Sequence, residues 1–234
     1  MNKRQRQAVA WLVHLYTVSG GIVAMFGLFE AAKGNTIDGF LLIIVSRIID
    51  ATDGLIARKL RTWEVLPNFS GDMVDNLIDI FTFLWIPVYI MWSEQVLPHD
   101  IWLIVPVIAT LYAYGNVNMK TEDGFFMGFP SLWGMVLIYL YFLNPGGWIA
   151  VLIVVIPAIM SFMPIKFLYA TKYPFLRTPT LATGGLYILL WLYILLEEPE
   201  NIDLVYLSLF FPVYYLLASL YATYKFRPNA QPAT

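Results

Sequence analysis

Cysteine is absent from all 234 residues, so disulfides, thiol nucleophiles and thiolate metal sites are excluded. Charge is scarce as well. Lys, Arg, Asp and Glu together make up 13% of the chain, against roughly 25% in a typical soluble domain. Internal repeats and low-complexity tracts are missing. What fills the chain instead is apolar sequence, 59% of all residues. It comes in runs of about 16–22 residues divided by short polar breaks, the length a helix needs to cross a bilayer core. The chain therefore reads as integral to a membrane.

Candidate spans are Trp11–Ala32, Ile37–Leu60, Gly71–Ser93, Ile101–Tyr114, Phe129–Leu143, Trp148–Leu168, Thr180–Leu196 and Leu204–Tyr224. Lys3, Arg4 and Arg6 ahead of the first run resemble a signal peptide. That run is too long for one and shows no clear small-residue cleavage pattern, so it is read as the first span. The expected fold is all-α, a polytopic bundle of about eight spanning helices. It forms a single domain over residues 1–234, and an even number of spans places both termini on one side. If that side is cytoplasmic, it receives twelve of the fourteen Lys and Arg side chains, including Arg58, Lys59, Lys120, Lys166, Lys172, Arg177 and Arg227. Lys33 alone faces the other way, which is the bias of the positive-inside rule. The tail from Pro228 to Thr234 is expected to be disordered.

Carboxylates within membrane spans are rare and costly, and they mark function by default. This chain concentrates them. Asp50 and Asp53 close the second span in Asp50-Ala-Thr-Asp53-Gly54-Leu-Ile-Ala57-Arg58, and Gly71-Asp-Met-Val-Asp75-Asn-Leu-Ile-Asp79 opens the third. Spacings of i,i+3 and of i, i+4, i+8 line each set along one helix face. The two spans are antiparallel neighbours. At about 1.5 Å per residue, Asp50 lies roughly 12 Å before Arg58 and Asp79 roughly 12 Å past Gly71, so the carboxylates meet at one depth.

Four carboxylates together repel one another unless cations compensate, and hard oxygen ligands select Mg²⁺, Mn²⁺ or Ca²⁺. Two such ions about 3.5–4 Å apart can clamp a pyrophosphate. Glycine inside a helix costs about 1 kcal/mol, so Gly54 and Gly71 on the acidic face point to something bulky, such as a nucleotide, approaching the backbone. Plainer roles compete for several of these residues. Arg47, three residues before Asp50, can form a structural ion pair with it. Asp72 suits a helix N-terminus. Gly54 can serve tight helix packing.

The pattern Asp50-x2-Asp53-Gly54-x2-Ala57-Arg58, then Gly71-x3-Asp75-x3-Asp79, resembles the signature of the CDP-alcohol phosphotransferases. It fixes eight positions and is highly specific, but it departs from most members in the spacer. Lys59 to Ser70 makes twelve residues where eight are usual. The longer spacer, His14-Leu-Tyr-Thr17 and the stretch from Lys120 to Pro130 resemble the branch that joins choline directly to CDP-diacylglycerol. Many relatives carry Asn-x-x-Thr where His14 and Thr17 stand, so His14 is a departure too.

The resemblance implies that Asp50, Asp53, Asp75 and Asp79 hold two Mn²⁺ or Mg²⁺ ions, with Asp79 also the general base. It further implies that Asp53, Gly54, Ala57, Arg58 and Gly71 shape the CDP-lipid pocket and that the assembly is a homodimer. The expected partners are CDP-diacylglycerol, choline and membrane lipid, and not nucleic acid. Choline's quaternary ammonium suits aromatic faces, and Tyr16, Trp85, Tyr89, Tyr112, Tyr114 and Trp133 are the candidates to supply them. His14 is read as a packing or interfacial residue ahead of a proton shuttle, and Glu122 and Asp123 as solvated loop residues. Two other readings stay open. One is a sibling transferase using serine, glycerol phosphate or an inositol compound, for which no dedicated basic residues stand out. The other is a cation transporter, which would favour midplane carboxylates and internal repeats.

Overall fold

The computed structural model describes residues 2–169 and 175–226. Expectations for Lys172, Arg227 and the tail from Pro228 lie outside those residues. Helices α1 (Lys3–Ala32) and α2 (Thr36–Leu60) come first, then the single turn α3 (Thr62–Val65) and α4 (Gly71–Ile80). A π-helical turn (Phe81–Trp85) joins α4 to α5 (Ile86–Ser93), and a 3₁₀ turn (Asp100–Leu103) leads into α6 (Ile104–Gly115). Strand β1 (Phe125–Met127) precedes α7 (Trp133–Leu143) and α8 (Gly147–Ser161). Strand β2 (Lys166–Leu168), α9 (Arg177–Glu197), α10 (Ile202–Ser208) and α11 (Phe210–Lys225) complete the order.

Among the described residues, four helical stretches are long and apolar enough to cross a membrane: Lys3–Ala32, Gly71–Ser93, Arg177–Glu197 and Ile202–Lys225. The stretches Asp100–Gly115, Trp133–Leu143 and Gly147–Ser161 are apolar but shorter. Helix α2 is 25 residues long yet carries Asp38, Arg47, Asp50, Asp53, Arg58 and Lys59, so the charges that mark its function also lower its hydropathy. The architecture is that of an all-α membrane protein.

Three expected spans have different limits. The run Trp148–Leu168 stops being helical at Ser161, and its last residues form β2 instead. Pro164 follows the helix end, where it cannot donate a backbone hydrogen bond. Helix α7 starts at Trp133 rather than Phe129, after left-handed backbone at Gly128 (φ 82°) and Ser131 (φ 54°). The last run is broken at Leu209 into α10 and α11. Pro212 provides no N–H for the carbonyl of Ser208, so the helix cannot run through that point unbroken.

By contacts the chain forms two compact units. One takes in the chain up to Ile104 together with Leu132–Val151; the other takes in Val105–Ser131 and the chain from Leu152 onward. In the first, α1 packs along α2 through small residues. Gly20, Ala24, Gly27 and Ala31 are all buried on α1, at spacings that put them on one face. A Cβ added at Gly27 would sit 3.1 Å from the carbonyl oxygen of Gly39, and one at Gly39 3.0 Å from that of Gly27. Backbones this close require glycine, as in membrane helix pairs generally.

The π-turn in this unit also has a local cause. Pro87 has no N–H to give the carbonyl of Phe83, and its ring crowds that carbonyl. The helix widens instead, and the Ile86 N–H bonds the oxygen of Phe81, five residues back.

In the second unit, β1 and β2 pair antiparallel, with Phe125 opposite Leu168 and Met127 opposite Lys166. Helix α11 offers β2 a row of hydroxyls at i,i+4 spacing. Thr223 accepts from the Lys166 N–H (2.8 Å), Ser219 accepts from the Leu168 N–H (3.3 Å), and the Tyr215 hydroxyl donates to the Leu168 carbonyl (2.9 Å). Phe125, Leu168, Ala218 and Ala222 form the buried cluster beneath. Asp123, expected to be merely solvated, is ion-paired with Lys166. Partial burial pushes its carboxyl up, but hydrogen bonds from Lys166 and Thr121 and the lysine charge outweigh it and hold the group below its ordinary range.

Candidate active site

Helices α2 and α4 carry the acidic residues. Helix α2 ends at Arg61, whose left-handed backbone (φ 49°, ψ 53°) stops it. Ser70 starts α4 by accepting a hydrogen bond from the Met73 N–H (3.2 Å). Asp72 lies in that first turn, exposed, where its charge suits the helix dipole. Asp75 and Asp79 follow one and two turns later.

Asp50, Asp75 and Asp79 come together: one carboxylate oxygen from each lies within 4.8 Å of the others, and all three residues are half-buried. Gathering three like charges in this way is unfavourable without a cation. An all-oxygen donor set at this separation suits a hard divalent ion such as Mg²⁺ or Mn²⁺. Asp53 stands outside this group. It is 4% exposed, with the Thr17 side chain of α1, the Gly54 backbone and the Arg58 charge near its carboxylate.

The two motif glycines have neighbours from the chain itself. A Cβ at Gly71 would lie 2.7 Å from the Cε1 of His14, and one at Gly54 3.2 Å from an Arg58 guanidinium nitrogen. The space left bare at Gly71 therefore admits the buried imidazole of α1. Phe69 packs at a tilt against the same ring at 4.6 Å, and Trp11 packs at a tilt on Phe69 at 4.9 Å. Ala57 is half-buried and Arg58 exposed on the following turn.

Gly71→Ala is expected to destabilise the chain by about 1–3 kcal/mol through this overpacking. His14→Ala in the same chain should recover part of the loss. Thermal unfolding in detergent of the two variants, compared with the unaltered chain, checks both statements.

The aromatic candidates fall on several elements. Tyr16 shares a hydrogen bond with the Thr52 hydroxyl (2.8 Å), one residue from Asp53. Trp85 lies on the π-turn and is 47% exposed, while Tyr89 packs on Trp92 at 5.9 Å. Trp133 is fully buried at the start of α7. In the second unit, Tyr112 packs on Phe162 at 4.5 Å and Tyr114 is half-buried on α6.

Sequence reasoning missed Thr52 and Phe69, and it did not see what joins α1 to the site. The i,i+3 pair of His14 and Thr17 was the available signal: one reaches Gly71 and the other Asp53.

Residues 10–163 match the family model described as CDP-alcohol phosphatidyltransferase. The chain belongs to that family. The match contains all four aspartates and both motif glycines, and the family's use of divalent metal agrees with the carboxylate group on α2 and α4. A protein named phosphatidylcholine synthase from Rhizobium johnstonii is 34% identical over 198 residues, 82% of this chain and 81% of its own. Another so named, from Brucella melitensis, is 35% identical over 203 residues, 82% and 72% of the two chains. A third, from Borreliella burgdorferi, is 31% identical over 226 residues, 94% of this chain and 96% of its own.

Proposed function

We propose that the chain is a phosphatidylcholine synthase, transferring the phosphatidyl group of CDP-diacylglycerol to choline and releasing CMP. The observation that carries this reading is the convergence of Asp50, Asp75 and Asp79 within 4.8 Å, in a chain 31–35% identical to the three synthases over most of its length. Asp50, Asp53, Asp75 and Asp79 hold two Mn²⁺ or Mg²⁺ ions. When bound, the metal neutralises phosphate charge and stabilises the leaving group. Gly54, Ala57, Arg58 and Gly71, with Asp53, frame the CDP-lipid.

Asp79 takes the proton of the choline hydroxyl. The choline oxygen forms a new bond to the phosphorus bearing diacylglycerol, and the bond from that phosphorus to the CMP phosphate oxygen breaks. CMP departs with the electron pair. The protein's share is position and fixed charge.

The family likeness and the charge distribution also support the finer topology. Eight helices span a bacterial inner membrane, both termini are cytoplasmic, and the site faces that side. The whole chain acts as one catalytic domain and pairs as a homodimer. Mass measurement in mild detergent should give twice the 26.8 kDa chain mass; a monomer alone would count against the pairing.

The acceptor is tested by catalytic efficiency with choline, ethanolamine and serine at fixed CDP-diacylglycerol and Mn²⁺. Choline's methyl groups bury apolar surface worth roughly 0.8 kcal/mol each, and cation–π attraction adds about 1–2 kcal/mol when desolvated. Aromatic contacts from among Tyr16, Trp85, Tyr89, Tyr112, Tyr114 and Trp133 would supply that attraction. Ethanolamine must instead give up ammonium hydration, so choline is expected to be preferred on the order of 10²-fold, with 1.4 kcal/mol per tenfold. Serine as the best acceptor would reassign the chain to a sibling activity.

A further inference from the structure

We propose that Arg47 is a positioning residue that ties α2, the π-turn and α7 together one helical layer from the acidic cluster, and so keeps the three carboxylates gathered. The proposal rests on the transferase reading only where activity is measured. A guanidinium inside a spanning helix is costly, and one that persists marks function. Arg47 lies three residues before Asp50, so both occupy one face of α2. Phe83 lies four residues past Asp79 at the next step of the facing helix. The Arg47 guanidinium sits over the Phe83 ring, 4.0 Å from its centroid, a cation–π contact. The layer next to Asp50 and Asp79 is thus held by one arginine and one ring.

Helix α7 completes the seat. A Cβ added at Gly134 would overlap the Arg47 guanidinium, whose Nη2 is buried. Gly134 is bare where the planar head group must fit. Phe83 is itself presented by the π-turn, whose cause is Pro87 two residues beyond it. Turns of this kind recur at functional sites. Here the turn aims at the arginine a ring that lies four residues after Asp79, the residue expected to accept the proton. Asp50 sits on one helix while Asp75 and Asp79 sit on the other, and their mutual repulsion drives the helices apart. The Arg47 contacts oppose that separation. Lysine cannot replace arginine in such a seat, because it lacks the planar fork that stacks and spans.

The test separates this role from simple packing by reading metal affinity in a variant that keeps every charge. In Gly134→Ala the arginine remains but loses its seat. Mn²⁺ binding, followed by the electron paramagnetic resonance of free Mn²⁺ in the purified full chain, is expected to weaken at least fivefold. Turnover in CMP release should fall about tenfold at saturating Mn²⁺, with the KM for CDP-diacylglycerol little changed. Phe83→Leu keeps bulk and charge, gives a second reading if Gly134→Ala folds poorly, and should weaken Mn²⁺ in the same way. Arg47→Met combined with Gly134→Ala should be no worse than Arg47→Met alone, since the two residues act through one contact. Mn²⁺ affinity within twofold of the unaltered chain in both Gly134→Ala and Phe83→Leu would overturn the proposal, as would effects of Arg47→Met and Gly134→Ala that simply multiply. An unaltered chain that binds Mn²⁺ with this coupling yet transfers nothing to choline would instead remove the transferase reading and leave the role of Arg47 standing.

Discussion

Asp79→Asn is expected to lower CMP release by roughly 10²–10⁴-fold, the usual share of a positioned general base. Mn²⁺ and CDP-diacylglycerol should still bind. Asparagine keeps an oxygen where the carboxylate lies within 4.8 Å of Asp50 and Asp75, so Mn²⁺ binding should weaken through the lost charge, as in Asp75→Asn, yet be complete at saturating Mn²⁺. It cannot accept the choline proton. Single-turnover release of CMP, set beside Mn²⁺ and lipid binding, separates the two duties. A variant keeping more than about a tenth of the rate would show that Asp79 is not the base.

The second large effect belongs to Asp75. Asp75→Asn should weaken Mn²⁺ binding about 10²-fold or more, because removing one of three gathered charges costs several kcal/mol of metal stabilisation. Turnover at limiting Mn²⁺ should fall with it and partly return as Mn²⁺ is raised. This response to added metal distinguishes Asp75 from Asp79, whose loss no metal concentration repairs. Titration of activity against Mn²⁺ for both variants gives the comparison. A loss in Asp75→Asn that stays constant across the titration would contradict its place in the metal group.

The acidic site was legible because helices impose a period. Spacings of i,i+3 on α2 and i,i+4 on α4 predict shared faces, and the carboxylates of Asp50, Asp75 and Asp79 do converge. Asp53 shows the limit of that reasoning. Spacing puts it near the face of Asp50, while its neighbour Thr17 on α1 is far away in sequence and leaves no local period. Gly71 depends on distant sequence in the same way. A glycine on the acidic face announces a close approach, while only the packing of α1 identifies His14 as what approaches.

Apolar content predicted helices well and their ends poorly. The residues Lys166–Leu168 are apolar enough to extend a span, yet they pair with Phe125–Met127, and hydroxyls of α11 satisfy their backbone. That partnership spans about forty residues and leaves no local period. The π-turn was more accessible. Pro87 in an otherwise helical run implies a break in regular bonding, although nothing local reveals that Phe83 is thereby aimed at Arg47.

One site is expected to join choline to the phosphatidyl group with loss of CMP. Purified protein should be given labelled choline, CDP-diacylglycerol and Mn²⁺, and label in phosphatidylcholine counted against CMP released. The expected result is one CMP for each labelled lipid, with both products abolished by a chelator and restored by added Mn²⁺. CMP released without labelled lipid, or labelled lipid formed without CMP, would contradict it.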